Sequence, residues 1–336
     1  MELEKNKTIE TLRGLAILLV VVGHVIGSAA DGGMKVDNDS FLRYFYDTFI
    51  DCLQMPLFTI IAGWVYSLKP ATYKKSKIFF VKKAVRIIVP MFVVGVCYFL
   101  LQYVTPGTNK KENLLDLWKL LLFPYTLFWY LYSLFVVFVV IALVDVFGKM
   151  NTVKNWLLIF CLTVVLLLIR DYVIPYESPN YFSYKGALYL LPCFILGVGL
   201  NRFKIFFQKK IIIYLTSILL VTCVIIQQLS WFGLIDYVVH KNTTVGLILG
   251  FTGTIMLLSS RIKVNWLIWF GIFAYSIYLF HAFGTAAGRI ISSSLNIDSK
   301  IVIFIMSLTA GVLLPILTDK ILERFKLTRI LFLGKQ

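Results

Sequence analysis

Two ionisable side chains, Arg13 and His24, lie within the first apolar stretch of the sequence, residues 9–27. In an α-helix their spacing is about three turns, so both project from the same face. The rise of about 1.5 Å per residue places them roughly 16 Å apart along the helix axis. Ionisable groups are costly inside a membrane helix and usually mark a function. The spacing therefore indicates a site with a fixed cation at one end and a proton-exchanging imidazole three turns deeper.

The most basic stretch of the chain, residues 69–86, ends with Lys83 and Arg86 at the mouth of the third apolar span. Cations at span ends commonly serve as anchors on the cytoplasmic side of the membrane. A cluster this dense, on the same side as Arg13, is also suited to binding phosphate groups. We therefore predict a cationic group at the inner side of the membrane.

A second group of polar side chains is predicted at the depth of the first-span imidazole, in the outer half of the membrane. Tyr278 and His281 share one helix face, because three residues separate their positions. Gln54, Trp129 and Tyr132 enter their spans from the outside at a similar level. Aromatic residues at this depth form an interfacial belt or the wall of a sugar site.

These side chains must be positioned by membrane helices. The chain of 336 residues is 59% hydrophobic and 15% charged, with a mean hydropathy of +0.84, whereas soluble domains are nearer a quarter charged. The predicted fold class is all-α, a polytopic membrane protein of about ten helices. The apolar spans are residues 9–29, 49–68, 86–104, 124–147, 156–174, 184–200, 211–232, 243–260, 266–286 and 300–318.

The charge distribution predicts the orientation of these spans. Most of the 33 Lys and Arg residues fall on one side when both termini are cytoplasmic. The net charge of +16 therefore reflects the excess of Lys and Arg on the cytoplasmic side of the membrane. It does not indicate nucleic-acid binding. We predict a ten-helix domain over residues 1–318 and a basic cytoplasmic tail over 319–336. The five cysteines lie in or beside apolar spans without metal-ligand spacing, so no metal site is predicted.

Several segments resemble, in order along the chain, the patterns of the acyltransferase-3 family of integral-membrane sugar acyltransferases. The nearest likeness is to the branch similar to fucose O-acetylases. The matching segments are LRGLAILLVVVGH at 12–24, MPLFTIIAG at 55–63, Lys83-x-x-Arg86 before Pro90, FWYL at 128–131 and AYSIYLFH at 274–281. Each short pattern is weak alone, but the five occur in register over nearly the whole chain.

Three positions depart from the family pattern. Lys83 stands where the family usually has Arg, and lysine lacks the bidentate fork that grips a phosphate. Ala62 replaces a common Ser. Gln54 replaces the His that the fucose O-acetylase-like branch often has before Met-Pro-Leu-Phe, which leaves the acceptor sugar open.

The resemblance implies a membrane enzyme that moves an acyl group, most simply acetyl, from acyl-CoA to a sugar hydroxyl in a surface polysaccharide or glycolipid. Acetyl-CoA is then a cosubstrate held through its phosphates by Arg13, Lys83 and Arg86. Its pantetheine arm is comparable in length with the distance from Arg13 to His24. His24 acts as general base on the hydroxyl or takes the acyl group itself.

An acid that orients His24 is expected, and the sequence leaves open which carboxylate it is. Asp47 and Asp51 are the nearest candidates, and Asp31 is a third. His281 is predicted as a further catalytic residue. The residues expected to contact the sugar are Gln54, Trp129, Tyr132 and Tyr278.

The predicted partners are acyl-CoA, a glycan or glycolipid acceptor and the lipid bilayer, with no nucleic acid. A second copy of the chain is an additional candidate. The predicted location is a bacterial-type plasma (inner) membrane, crossed several times. A glycolipid or polysaccharide transporter would use the same polar cavity without chemistry, and a pH sensor would use His24 alone. The number of matching segments favours the acyltransferase.

Overall fold

A computed structural model describes residues 6–106, 113–175 and 177–335, which are helical with no strand among them. The predicted all-α fold class is thereby confirmed. Residues 1–5, 107–112, 176 and 336, which the predicted domains include, lie outside this description. The main helices are α1 (Lys7–Ile26), α2 (Phe41–Tyr66), α3 (Tyr73–Val104), α4 (Trp129–Val146), α5 (Val153–Val173), α6 (Tyr184–Arg202), α7 (Lys210–Trp231), α8 (Thr244–Ser259), α9 (Asn265–Ile272), α10 (Ala274–Ser294), α11 (Lys300–Leu322) and α12 (Lys326–Leu333).

The protein is a multi-pass membrane protein. Within the described residues, eight helical segments are long and apolar enough to cross a bilayer. Helices α9 and α10 together make one further candidate, and α8 is a shorter apolar helix. The sequence predicted one span at 266–286, but the chain bends there by 80° between α9 and α10. The total of ten spans and the cytoplasmic termini stay predictions.

The chain divides into two compact units. The first unit contains Met1–Ile61 and Phe203–Leu314, and the second contains Ala62–Arg202 and Pro315–Gln336. The boundary predicted at residue 318 falls inside α11, and the division into a membrane domain and a tail stays a prediction.

In the first unit, α1 packs closely against α9, because two glycines allow backbone contact. A Cβ atom at Gly14 would lie 1.9 Å from the carbonyl oxygen of Leu267. A Cβ atom at Gly271 would lie 2.4 Å from the carbonyl oxygen of Glu10. The amide of Val264 also donates to Thr11 Oγ1 at 3.1 Å. These contacts hold α1 against the end of α9, at which the chain turns into α10.

Helix α10 is held against α11 in the same way. Cβ atoms at Gly284 and Gly288 would clash with the backbones of Ala310 and Ser307 at 2.3 and 2.5 Å. Small residues of this kind let membrane helices approach and pack closely. The helix that carries His281 is therefore fixed from two sides, since it also contacts α1.

In the second unit, α6 packs against both α4 and α5. Arg202 of α6 forms a two-pronged ion pair with Asp145 of α4, at 2.7 and 2.6 Å. Helix α12 packs along α3, where Leu333 is fully buried. Gly334 follows in the left-handed conformation, with its Cα so near Arg86 that a Cβ would lie 2.6 Å from the Arg86 carbonyl oxygen.

Candidate functional site

The imidazole of His24 lies in the last turn of α1 and is half-buried. Its Nδ1 lies 2.8 Å from the carbonyl oxygen of Val20, one turn earlier. A carbonyl oxygen only accepts, so Nδ1 carries the proton and donates it to this bond. The Nε2 atom then keeps its lone pair, which is the form required of a base or a nucleophile. The helix thus sets both the orientation and the tautomer of His24.

His281 lies on α10 and is fully buried. Its Nδ1 lies 2.8 Å from the carbonyl oxygen of Tyr278 and 3.1 Å from that of Ile277, which assigns the proton to Nδ1 again. Among the described residues its Nε2 has no hydrogen-bond partner. The ring meets that of His24 edge to face, with centroids 4.7 Å apart. Within the part of the chain that the structure describes, two imidazoles are therefore paired with no hydrogen-bond partner at either Nε2.

Two more predicted residues lie beside this pair. The ring of Tyr278 is 5.9 Å from that of His281 and stacks on Phe58 at 6.2 Å. Gln54 packs on Gly23, the residue before His24, with Oε1 2.8 Å from the place that a Cβ would take. Within the described chain, this buried oxygen has no hydrogen-bond partner. Four residues predicted from the sequence thus come together, namely His24, Gln54, Tyr278 and His281.

Asp51, a candidate to orient His24, has other partners. Its carboxylate accepts from the amide of Lys241 at 2.9 Å and from the Tyr46 hydroxyl at 3.2 Å. The Lys241 ammonium lies 3.3 Å from it. The carboxylate therefore ties the segment before α8 to α2.

Asp47 and Asp31 also have no described contact with the His24 ring within residues 6–106, 113–175 and 177–335. Asp47 is half-buried, and its backbone carbonyl accepts from Gln227 Nε2 at 2.8 Å. Asp31 is exposed. The orienting partner in the structure is the Val20 carbonyl, and a role for any of the three carboxylates stays a prediction.

Arg13 lies three turns before His24 on α1, as predicted, and is paired within the helix. Its Nη1 donates to both carboxylate oxygens of Glu10 at 2.9 Å. Glu10 is only 8% exposed, whereas 31% of the Arg13 side chain is exposed. Sequence reasoning missed Glu10, although its i, i+3 spacing could have identified it. The ion pair fixes one nitrogen of the guanidinium, and no other described residue occupies Nε or Nη2.

Lys83 and Arg86 belong to the second unit and lie on α3, which begins at Tyr73, before the start of the span predicted at residue 86. The Lys83 ammonium lies 3.7 Å from the ring centre of Phe138 and 5.6 Å from that of Phe79. This is a cation–π arrangement. Arg86 is exposed. The predicted grouping of these two residues with Arg13 stays a prediction.

Trp129 and Tyr132 also belong to the second unit, at the start of α4. The Tyr132 hydroxyl donates to the Leu120 carbonyl. Its ring lines a small cavity together with Phe128. Trp129 lies against Gly186, where a Cβ would come within 2.8 Å of the indole. Their predicted contact with a sugar is not tested by this geometry.

Cations near His24 are the main feature that the sequence did not identify. The charges of Lys241 and Arg289 both act on its imidazole. Arg289 lies two turns beyond His281 on α10, a spacing that could have indicated it. Lys241 comes from a loop, and no sequence signal connects it with α1. Over the described chain, no group of three or more His, Cys, Asp or Glu side chains could hold a metal ion.

A family model described as an acyltransferase domain matches residues 6–320. The match covers α1 to nearly the end of α11, and so it includes every candidate residue above. Comparisons with curated proteins and with solved structures give no match.

Proposed function

The chain belongs to the acyltransferase-3 family, and from this membership we propose that it transfers an acetyl or other short acyl group from acyl-CoA to a sugar hydroxyl. The acceptor sugar belongs to a surface polysaccharide or glycolipid. The family identifies a membrane acyltransferase, and the donor and the acceptor are our inference.

One observation carries the proposal, namely the state of His24. Its Nδ1–H is held by the Val20 carbonyl, so Nε2 is left as the basic atom. His281 lies against the same ring, and its own Nε2 has no hydrogen-bond partner among the residues that the structure describes. An imidazole held in one tautomer inside a membrane helix is suited to proton or acyl transfer.

Two routes use the same nitrogen. In the first, Nε2 takes the proton from the sugar hydroxyl while its oxygen attacks the thioester carbonyl. The C–O bond forms, the C–S bond breaks, and the proton passes to the leaving CoA sulfur. In the second, Nε2 attacks the thioester carbonyl, the C–S bond breaks, and CoA leaves as the thiolate while the acyl group stays on Nε2. The sugar oxygen then attacks the same carbonyl, the C–N bond breaks, and the hydroxyl proton passes to the thiolate. Both routes give the acylated sugar and free CoA.

The donor is proposed to bind through its phosphates. Arg13 offers Nε and Nη2, while Glu10 holds its Nη1 in place. Lys83 and Arg86 are proposed as further phosphate ligands on the basis of their family pattern. The distance of roughly 16 Å along α1 between Arg13 and His24 is comparable with a pantetheine arm.

The acceptor is proposed to reach His24 from the outer side of the membrane. Gln54 and Tyr278 are proposed to contact it there, with Trp129 and Tyr132 as further candidates. The proposed location is a bacterial-type plasma membrane. The proposed partners are acyl-CoA, the glycan and the bilayer, and a homodimer is the assembly to test for.

The test is the mass of surface glycans from cells that lack the gene and carry wild type, His24→Ala or His240→Ala. Wild type should add one acyl mass per modified sugar. His24→Ala should abolish the modification, or slow it about 10²–10⁴-fold if the histidine serves as a base. His240 is exposed in a loop, and its variant is the matched control that should resemble wild type.

Membrane levels of each variant must be measured in parallel. Normal acylation by an accumulated His24→Ala protein would contradict the proposal. The melting temperature with and without acetyl-CoA distinguishes an acyltransferase from a transporter. A ligand that binds the native state raises the melting temperature, and only the acyltransferase is expected to bind acetyl-CoA. Loss of stabilisation in Arg13→Ala favours the enzyme, and no stabilisation at millimolar acetyl-CoA favours transport.

A further inference from the structure

Arg43, in the first turn of α2, is a buried arginine with a free edge. It is only 4% exposed. Its Nη1 donates to the carbonyl oxygen of Gly27 at 2.7 Å, at the C-terminal end of α1. Among the described residues, its Nε and Nη2 are both buried without a hydrogen-bond partner.

Within residues 6–106, 113–175 and 177–335, the positive charge of Arg43 is also left without an ion pair. Arginine stays protonated in proteins, and a buried charge requires a partner. Asp47, one turn further along α2, interacts with Arg43 electrostatically. No ion pair joins the two among the residues described. The ring of Tyr46 faces the guanidinium at 5.5 Å, which offsets only part of the desolvation.

The free edge of Arg43 has a specific shape. The Gly27 carbonyl occupies Nη1 and so fixes the plane of the guanidinium. Nε and Nη2 lie side by side on one edge and present two parallel N–H groups. This edge matches the two oxygens of a carboxylate or a phosphate, which it binds with two hydrogen bonds. A water molecule could accept hydrogen bonds from Nε and Nη2, but it would not neutralise the positive charge of the guanidinium.

Arg43 contacts α1 about one turn beyond His24. Gly27 follows His24 by three residues, about 4.5 Å along the helix axis. The ring of Tyr46, which faces Arg43, also packs on Gly23, where a Cβ would lie 3.3 Å from it. The Arg43 guanidinium is therefore held about one helix turn beyond the level of His24, a separation that one or two sugar rings can span.

We propose that Arg43 binds a carboxylate or phosphate of the acceptor, so that the enzyme acylates an anionic sugar. This proposal rests on the proposed function, which it deepens by naming the acceptor class. Binding of the anion restores the missing charge partner and places a hydroxyl of the same or the neighbouring sugar at Nε2 of His24. Neutral sugars would leave the guanidinium unpaired and would bind less well.

The experiment uses the purified full-length protein in nanodiscs with labelled acetyl-CoA. Three sugars serve as probes, namely methyl glucoside, methyl glucuronoside and methyl glucoside 6-phosphate. The first two differ only in the carboxylate, and the third presents a phosphate at the same carbon. Wild type should favour an anionic probe over the neutral one by roughly tenfold to a hundredfold in kcat/KM. The favoured anion identifies which group the edge binds.

Arg43→Gln should remove this preference, and Arg43→Lys should remove most of it, because lysine keeps the charge but not the fork. Lys35→Gln removes an exposed cation from the segment between α1 and α2. It is the matched control and should keep the wild-type preference for an anionic probe. Melting temperature and monodispersity report folding, and Arg43→Lys carries the test if Arg43→Gln does not fold. Equal rates on all probes in wild type would overturn the proposal. An equal loss on all probes in Arg43→Lys would also overturn it.

Thermal stabilisation by the same probes without acetyl-CoA separates this proposal from the proposed function. The anion site is supported if an anionic probe raises the melting temperature of wild type and Arg13→Ala but not that of Arg43→Lys. This result supports the anion site even if no acyl transfer occurs. Acyl transfer without any preference for an anion supports the function and overturns the anion site. Stabilisation that depends on Arg13 instead would assign the anion to the donor site, which also overturns the proposal.

Discussion

The imidazole rings of His24 and His281 meet edge to face at 4.7 Å, with their planes at 76°, although the residues lie near opposite ends of the sequence. Each ring donates its Nδ1–H to a carbonyl of its own helix. Among the described residues, the two Nε2 atoms therefore have no hydrogen-bond partner and lie in the same part of the first unit. This arrangement makes His281 part of the environment in which His24 works.

Replacing His281 by Phe should lower kcat about 10²-fold, because the ring packing is kept while Nε2 beside His24 is lost. KM for acetyl-CoA should stay near the wild-type value, since the change lies beside His24, roughly 16 Å along α1 from Arg13. Steady-state kinetics of the purified variant measure both quantities. A wild-type kcat would assign His281 to packing alone.

Replacing Asp51 by Asn should destabilise the fold by about 1–3 kcal/mol, because the buried side chain loses its charge-assisted bonds to Lys241. The turnover of the folded protein should change only a few-fold, since the Val20 carbonyl orients His24. Asp236→Asn, at an exposed position, is the control. A loss near 10⁴-fold in kcat would instead identify Asp51 as the acid that orients the histidine.

Replacing Lys83 by Ala should raise KM for acetyl-CoA by roughly tenfold to a hundredfold if its ammonium contacts a phosphate. The neighbouring Lys82 is exposed, and Lys82→Ala should stay within about twofold, because screened surface charges contribute little. Both variants remove one positive charge from the same helix. Equal KM values for the two would show that Lys83 serves only the cation–π contact with Phe138.

Replacing Asp145 by Asn should lower the free energy of unfolding by about 3–5 kcal/mol, because the carboxylate is 4% exposed and its loss leaves Arg202 without a partner. Asp171 pairs with Arg170 but is 69% exposed. Asp171→Asn should therefore change stability by less than about 1 kcal/mol. Thermal or denaturant unfolding in the same detergent compares the two. Similar losses would mean that burial does not decide the strength of these pairs.

The sequence by itself determined the features that depend on local periodicity and composition. High hydropathy predicted a helical membrane protein, and the helical repeat predicted that Arg13 and His24 share α1. The same repeat placed Tyr278 beside His281. The Glu10–Arg13 pair follows the same rule and could also have been predicted.

Only the tertiary structure decided which helices meet. Apolar faces are nearly equivalent in lipid, so helix pairing depends on close contacts at small residues such as Gly14, Gly271 and Gly284. These contacts hold α9 against α1 and α10 against α11, and His281 lies against His24 in this packing. The approach of Arg43 to the end of α1 likewise depends on how the chain folds back after that helix. Such long-range geometry leaves no periodic signal in the sequence, because it is fixed by packing between segments rather than within one.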